Sequence, residues 1–520
     1  MSPDYSENTL PTLRDVVAES QSVPQLRCTI VYHPRRARIG QGAILHSHNG
    51  HYLLGRASPV FMGDGQESGL PLEDPYVSRR ALLLQESDDG IRLSRPAEAS
   101  RCQVAGHEVQ GETLVDNRAL EQGVPLLLSH SVVLVLRRVQ LPTDEPRCIE
   151  SALLGVSSEI TRLQEQIRRA ADSDLDVLIR GETGVGKELV AQAIHQNSRR
   201  SGVAMVSVNM AAIPPSLAAA FLFGSTRGAY TGADKARAGY FQQAQGGSLF
   251  LDEVGDTPEE VQPLLLRALQ QREVQVVGGD TRKVDVRVIS ATDALLDEEA
   301  CGFKSALRYR LGALEIQVPP LRARTEDIGV LLLNSLQRTA EREGRAQWLA
   351  QSMTDASCVA RWAPLFYRFC NYAWPGNVRQ LENFAAQVIM ASDDQPVLPD
   401  ALALAHALAP TAETDSSGAV ADQALGRRKS VEVSEAEFEA AMHEERYEVA
   451  AVAQKLGISR SALYRRIEKS TQFRSAADVP MAEINAALAE CDNDLRSTAL
   501  GLQVSESGLR QRLRSIRASA

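Results

Sequence analysis

The chain has 520 residues, 44 % of them apolar and 23 % charged, so several domains with ample cores are expected and wholesale disorder is excluded. No apolar run approaches the roughly 18 residues of a membrane helix, residues 1–20 are too polar and acidic for a signal peptide, and the seven scattered cysteines are never spaced Cys-x-x-Cys, which excludes a disulfide framework or cysteine-based zinc site and points to a reducing cytosol. The net charge of −10 argues, on bulk arithmetic, against a nucleic-acid binder.

In chain order, residues 1–25 are polar and without periodicity, a flexible tail. Residues 26–140 carry short apolar runs such as Cys28-Thr-Ile-Val-Tyr32 and Val132-Val-Leu-Val-Leu136, with Val104-Ala-Gly-His-Glu-Val109 also strand-like, broken by Gly, Pro, Ser and Asp. That pattern predicts an all-β sandwich. A Pro- and acid-rich linker covers 141–149. Over 150–316, amphipathic helices alternate with the compact strands Asp176-Val-Leu-Ile-Arg180, Ala204-Met-Val-Ser-Val208, Ser248-Leu-Phe-Leu-Asp252 and Val284-Asp-Val-Arg-Val-Ile289, which predicts a parallel α/β sheet. Residues 317–408 are helical in pattern, and 409–431 form an Ala/Thr/Ser/Gly linker. The remainder is an internal repeat: Ala453, Leu456, Ile458, Ser459, Leu463, Arg466 and Ile467 recur at a constant offset of 46 as Ala499, Leu502, Val504, Ser505, Leu509, Arg512 and Leu513. Two small all-α units, 432–472 and 476–517, follow from it.

Two elements carry chemistry. Gly181-Glu-Thr-Gly-Val-Gly-Lys187-Glu188 lies between a strand and a helical run, the context of a Walker A loop. Its glycines let successive N–H groups of Gly181, Glu182, Thr183, Gly184, Val185 and Gly186 face phosphates, and Lys187 adds a point charge. Glu188 stands where Ser or Thr usually follows the lysine, so Mg2+ needs other ligands. Some 65 residues on, Ser248-Leu-Phe-Leu-Asp252-Glu253 supplies a Walker B strand, with Asp252 placed to hold Mg2+ through water and Glu253 to polarise the attacking water.

With Val208-Asn-Met-Ala-Ala-Ile-Pro214, Phe223-Gly-Ser-Thr-Arg-Gly-Ala-Tyr-Thr-Gly-Ala233, Arg272-Glu-Val-Gln-Val-Val-Gly-Gly279, Pro319-Pro-Leu-Arg-Ala-Arg324 and Trp374-Pro-Gly-Asn-Val-Arg-Gln-Leu-Glu-Asn383, residues 150–395 resemble the AAA+ ATPase domain of the bacterial enhancer-binding proteins that activate sigma-54 RNA polymerase. The resemblance implies an ATP-hydrolysing homo-oligomer, usually a hexameric ring. Gly228, Ala229, Tyr230, Thr231, Gly232 and Ala233 stand where the family touches sigma-54, with Tyr for the family's Phe. Asn209 matches its switch residue, Arg379 the lid arginine that reaches nucleotide, and Arg310 an arginine finger directed into the neighbouring subunit. Three further departures from the pattern stand out: Lys304 occupies the site of a second trans-acting arginine, Asp293 the sensor position that commonly carries Asn, and the acidic residue usual before the Leu-Phe-Gly segment is absent from Ala218-Ala-Ala-Phe-Leu-Phe223.

The first C-terminal unit resembles a Fis-type helix-turn-helix, with Ser459 as helix cap and Arg460, Ser461, Tyr464 and Arg465 towards DNA. Residues 449–474 hold six Lys/Arg against one acid, so the interface is basic although the chain is not. The second copy is either another DNA reader or a decayed copy that stabilises or dimerises. The β region resembles a forkhead-associated (FHA) domain through Leu54-Gly-Arg56 and Leu72-Glu-Asp-Pro-Tyr-Val-Ser-Arg79. That family binds phosphothreonine through residues matching Arg56 and Ser78, with Arg79 beside them; phosphate-independent protein binding is the alternative, because the family's His is Ala81 here. Together these imply a cytoplasmic activator using ATP and Mg2+, bound to enhancer DNA and sigma-54 RNA polymerase, with no membrane partner. The alternatives are a DNA-binding scaffold or repressor with weak hydrolysis, and a remodelling ATPase with another client.

Overall fold

In the computed structural model, which describes residues 24–63, 68–140, 152–229, 235–294, 303–399, 435–444, 495–502 and scattered positions between 447 and 509, the chain divides between residues 410 and 411 into two units. The first begins with ten strands: β1 (Gln25–Tyr32), β2 (Gly42–Ile44), β3 (His51–Leu54), β4 (Leu82–Ser87), β5 (Gly90–Ser94), β6 (Cys102–Val104), β7 (His107–Glu108), β8 (Glu112–Asp116), β9 (Val124–Leu128) and β10 (Val132–Val139). They form two antiparallel sheets, β2-β1-β10-β9-β6-β7 and β3-β4-β5-β8, closed over one core. The β sandwich is as expected, although β1 already begins at Gln25. The strand expected over 104–109 is instead a tight hairpin: Val104 pairs with His107, and the turn places Ala105 and Gly106 at φ +47° and +94°. Helix α1 (Asn117–Gln122) is capped by Asp116, which accepts from Ala119 N at 2.7 Å.

Strand β4 alternates inward Leu82 and Leu84 with outward Leu83 and Gln85, as a strand with one wet face should. Strands β1 and β10 are buried on both faces. Cys28, Ile30, Leu134 and Leu136 enter the sandwich core, whereas Val31, Tyr32, Val133 and Val135 enter a second core built mainly by helices some 200 residues later.

The α/β layer follows: α2 (Ser158–Asp172), β11 (Val177–Arg180), α3 (Lys187–Gln196), β12 (Val206–Asn209), α4 (Pro215–Phe223), α5 (Tyr240–Gln243), β13 (Ser248–Asp252), α6 (Gln262–Gln271), the hairpin β14 (Glu273–Gln275) and β15 (Thr281–Lys283), β16 (Arg287–Thr292), α7 (Ser305–Leu311) and β17 (Leu314–Gln317). The five parallel strands run β12-β13-β16-β11-β17. Strand β16 starts three residues later than expected, because Val284 N is tied to Arg272 O at 2.8 Å and Asp285 N to Gln245 Oε1 at 3.1 Å. Parallel order places the ends of β11, β12, β13 and β16 on one edge, where ligand sites of such sheets lie.

A lid of α8 (Ile328–Arg342), α9 (Ala346–Ser352), α10 (Ala356–Cys370) and α11 (Asn377–Ala391) packs around buried Trp362, Phe366, Phe369 and Trp374. In the second unit, α12 (Glu435–Glu444) buries Phe438, Ala441 and Met442 at helical spacing, and Tyr447 Oη meets His443 Nδ1 at 2.8 Å. Helix α13 (Leu495–Gly501) joins a core of Val479, Ile484, Ala499, Leu502, Val504 and Leu509. The last four are positions at which the repeat recurs, so its periodic apolar residues are the ones that bury. No helix among the described residues is long and apolar enough to cross a membrane.

Candidate nucleotide site and surrounding contacts

The loop between β11 and α3 needs its glycines. Gly184 and Gly186 have φ of +78° and +102°, and a Cβ on Gly184 would lie 2.5 Å from the carbonyl oxygen of Gly376 in the lid. Lys187 is buried; its Nζ donates to Gly181 O at 3.0 Å and lies 3.6 Å from Glu253 Oε1. Asn209, ending β12, donates its Nδ2 to Asp252 Oδ2 at 3.2 Å. Asp293, directly after β16, accepts from Thr183 Oγ1 at 2.6 Å, which pulls its carboxyl below the ordinary range. Burial pushes the Glu253 carboxyl up, opposed by Lys187 and reinforced by Asp293 and Asp252. Walker A, Walker B, the switch and the sensor positions thus meet at the carboxyl edge of one sheet. Glu188 is exposed in the first turn of α3.

Lys304 and Arg310 do not join them. Lys304 is the N-cap residue of α7, its carbonyl accepting from Arg308 N at 3.0 Å, and its backbone N–H donates to Gln262 Oε1 at 2.8 Å. The Arg310 guanidinium donates to Leu269 O at 2.9 Å and lies 3.9 Å from buried Asp176, immediately before β11. Asp176 marks the amino edge of the sheet, so Arg310 is a strand length away from its own P-loop. Gly228 and Ala229 stand at the foot of the loop expected to touch sigma-54. Thr226 N donates to Val277 O at 3.0 Å, so that foot leans on the β14–β15 hairpin. Tyr230, Thr231, Gly232 and Ala233 lie outside the described residues, as do Ser459, Arg460, Ser461, Tyr464 and Arg465.

A set of residues without a role in the sequence reading joins the P-loop to the lid. Asn377 donates from Nδ2 to Glu182 Oε2 and to Thr183 O, both at 3.1 Å, while its Oδ1 accepts from Leu321 N at 2.8 Å. Arg322 donates to Glu182 at 2.8 Å and holds that carboxyl down at about 2; Arg324 donates to Val185 O at 3.2 Å. Arg379 N donates to Gly184 O at 3.3 Å, which sets Arg379 beside the loop. The motifs around 319–324 and 374–383 signalled the region but not these pairings.

The strap 321–327 also reaches the sandwich. Arg137 of β10 donates to Glu326 at 2.9 Å, to Glu159 of α2 at 2.8 and 2.9 Å, and to Ala323 O at 2.9 Å. Thr325 Oγ1 donates to Gln122 O at 3.3 Å, Tyr32 Oη to Met353 O at 3.3 Å, and Gly106 N to Tyr367 Oη at 2.6 Å. Asp327, fully buried, accepts from Val156 N, Ser157 N and Ser157 Oγ at 2.6–2.8 Å. At one end of the sandwich, Arg56 N donates to Ser78 O at 2.9 Å, and Ser78 Oγ accepts from Ser100 N at 2.8 Å. Arg56, Ser78 and exposed Arg79 are therefore adjacent, while Ala81 points into the core.

A phosphate-cradling loop, its lysine and an acidic strand end on a β12-β13-β16-β11-β17 sheet with a helical lid define an AAA+ ATPase. The chain matches the sigma-54 interaction domain over residues 153–317, the AAA+ ATPase lid domain over 322–419 and the Fis family of bacterial regulatory proteins over 432–469. It is 39 % identical over 336 residues to the transcriptional regulatory protein ZraR of Klebsiella oxytoca, covering 64 % of this chain and 72 % of that protein. It is 37 % identical over 306 residues to the Nif-specific regulatory protein of Klebsiella pneumoniae, covering 56 % of each. The solved structure of NtrX from Brucella abortus in complex with ATP is 30 % identical, with 61 % of this chain and 69 % of that one covered and a TM-score of 0.42. The chain belongs to the sigma-54-dependent enhancer-binding activators, transcription regulators with an AAA+ ATPase domain and a helix-turn-helix.

Proposed function

We propose that this protein, in the cytoplasm, binds enhancer DNA and uses ATP hydrolysis in a ring-shaped homo-oligomer, usually a hexamer, to remodel the sigma-54 RNA polymerase promoter complex. The observation that carries the reading is the convergence of Lys187, Glu253, Asp252 and Asn209 on one sheet edge, with Lys187 Nζ 3.6 Å from Glu253 and Asn209 bonded to Asp252. The Gly181–Gly186 N–H groups and Lys187 hold the phosphates, and Glu253, its basicity raised by burial, orients and polarises the attacking water. Asp252 would hold Mg2+ through water; among the described residues no group of three His, Cys, Asp or Glu side chains is placed to hold a metal ion, so water and phosphate oxygens would have to supply the other ligands. Bound there, Mg2+ would neutralise phosphate charge. Arg379 reaches the nucleotide from the lid. Arg310, and with it Lys304, acts on the neighbouring subunit's site, which the placement of Arg310 at the opposite sheet edge supports. Asn209 relays the nucleotide state to the loop 228–233, whose Tyr230 meets sigma-54. Ser459, Arg460, Ser461, Tyr464 and Arg465 face DNA.

The sandwich is the input module. Its contacts with the strap 321–327, which also holds the P-loop, support a direct path from a bound protein to the ATPase. The backbone bond from Arg56 N to Ser78 O sets these two residues side by side with Arg79 next to them, which is compatible with a phosphothreonine partner; phosphate-independent protein binding is the alternative. Transcription in vitro from a sigma-54 promoter tests the whole: wild type supports it, Lys187→Ala abolishes it with ATPase, and Tyr230→Ala abolishes it while retaining ATPase. Wild-type turnover no higher than that of Glu253→Gln would instead leave a DNA-bound scaffold, which the carboxylate of Asp293 favours. Turnover indifferent to sigma-54 and Tyr230 would mean a different client.

A further inference from the structure

The two strands that flank β16 are the ones that end in the P-loop and in Asp252. Thr292, last in β16, pairs with Arg180, and Gly181 N donates to Thr292 O at 3.3 Å. Asp293 is the next residue, so the chain's path sets it between the phosphate cradle and the acidic strand end. Thr183 Oγ1, itself in the cradle, donates to Asp293 Oδ2 at 2.6 Å and fixes the carboxylate facing the loop. The site then holds one buried ammonium, Lys187, among three carboxylates: Asp252, Glu253 and Asp293. Glu253 already takes up the nearest face of that ammonium, at 3.6 Å.

A diphosphate and a triphosphate meet this arrangement differently. The cradle of N–H groups serves the phosphates common to both, and its donors do not depend on Asp293. The terminal phosphate of a triphosphate must extend from the cradle towards Asp252 and Glu253, the edge where Asp293 stands, and there it meets a fixed negative charge. Resting on the nucleotide-binding reading above, we propose that Asp293 is a specificity-determining residue that disfavours the γ-phosphate, so that a single subunit holds ADP in preference to ATP. Lys187, and Mg2+ where Asp252 would hold it, are shared among all three carboxylates, so further relief of the penalty calls for a cation from outside the subunit's own site. Arg310 lies at the other sheet edge and cannot supply it to its own P-loop, so ATP affinity becomes conditional on a neighbouring subunit.

Asp293→Asn tests this with little change of shape, because the amide oxygen still accepts from Thr183 while the charge is gone. Dissociation constants for ADP and for ATPγS are measured by calorimetry on the full chain, with Mg2+ and with EDTA, at protein concentrations below assembly. The wild type should bind ADP more tightly than ATPγS. Asp293→Asn should tighten ATPγS about tenfold, equivalent to about 1.4 kcal/mol, and leave ADP within about twofold. Asp293→Ala, which also loses the bond to Thr183, should shift the ratio in the same direction. Equal shifts for both nucleotides, or none, overturn the assignment. So does weaker ATPγS binding by Asp293→Asn seen only with Mg2+, which would make Asp293 a cation ligand. Failure of the wild type to bind either nucleotide would overturn the nucleotide-binding reading itself, a different result from an unchanged ratio.

Discussion

Arg137 stands where the sandwich, the α/β layer and the strap meet, and its removal tests whether that junction holds the first unit together. Its guanidinium makes four bonds of 2.8–2.9 Å to Glu159, Glu326 and Ala323 O, and the Glu326 side chain is only 2 % exposed. Taking one partner from a buried ion pair costs about 3–5 kcal/mol. Arg137 itself is 9 % exposed and Glu159 18 %, which moves the expected cost of Arg137→Ala towards the lower end, about 3 kcal/mol. The pH dependence is more diagnostic. Burial pushes the Glu326 carboxyl from 4.5 up to about 7 even with Arg137 drawing it down. Between those values the folded chain keeps a proton that the unfolded chain has released, so this group lowers stability as pH rises and stops doing so above about 7. Without Arg137 the folded pKa climbs further and the loss continues above 7, at up to about 1.4 kcal/mol per pH unit. Urea unfolding followed by tryptophan fluorescence is the assay, since the three tryptophans, Trp348, Trp362 and Trp374, all belong to the lid region that Arg137 anchors. The destabilisation should be larger at pH 8 than at pH 6, and Glu326→Gln in the same chain should recover part of it. A loss below about 1 kcal/mol, or one that is flat across pH and indifferent to Glu326→Gln, would refute the account.

Gly329→Ala sets two effects against each other. Alanine gains up to about 1 kcal/mol of helix propensity over glycine, but its Cβ would lie 2.4 Å from Val31 O, backbone that cannot turn aside. Net destabilisation by at least about 1 kcal/mol in the same urea titration is expected; stabilisation would mean that β1 and α8 are not in contact. Gly184→Ala meets both a left-handed backbone and the Gly376 carbonyl at 2.5 Å, so binding of a fluorescent ATP analogue should fall more than tenfold, about 1.4 kcal/mol, and an unchanged affinity would remove the lid from the P-loop.

What is legible in the sequence is what backbone geometry forces into fixed local spacing. The P-loop glycines, Lys187 and the Asp252-Glu253 strand end are such features, and the structure brings them together. The hairpin at 104–107 escapes because Ala-Gly in the left-handed region looks, by composition, like strand. The strap escapes for another reason: Arg322 and Arg324 find Glu182 and Val185 across 140 and 139 residues, and Arg137 finds Glu326 across 189, separations at which no local pattern survives. One trace of it was present. Val132-Val-Leu-Val-Leu136 is apolar without alternation, which an outer face in water would not permit, so its second face had to be covered by something.

That second face also bears on how the sandwich, as the proposed input module, would act on the ATPase. Val31, Tyr32, Val133 and Val135 are fully buried against the lid, the Tyr32 ring lies tilted at 43° with its centroid 4.9 Å from that of Phe366, and the same strap that accepts from Arg137 and donates to Gln122 O grips Glu182 and Val185. A partner bound at the Arg56 end, as proposed above, would therefore act on a body already joined to the lid, and an effect on the nucleotide site would be carried as a shift in a packed interface rather than by recruitment of a tethered module. It follows that deleting residues 1–140 is not a clean way to ask whether the sandwich activates or restrains. The deletion would bare the apolar faces of α8 and α10 and leave Glu326 buried without its cation, so lost activity would report lost structure. Point changes at Arg56 or Ser78, which leave Arg137 and β10 in place, separate the two.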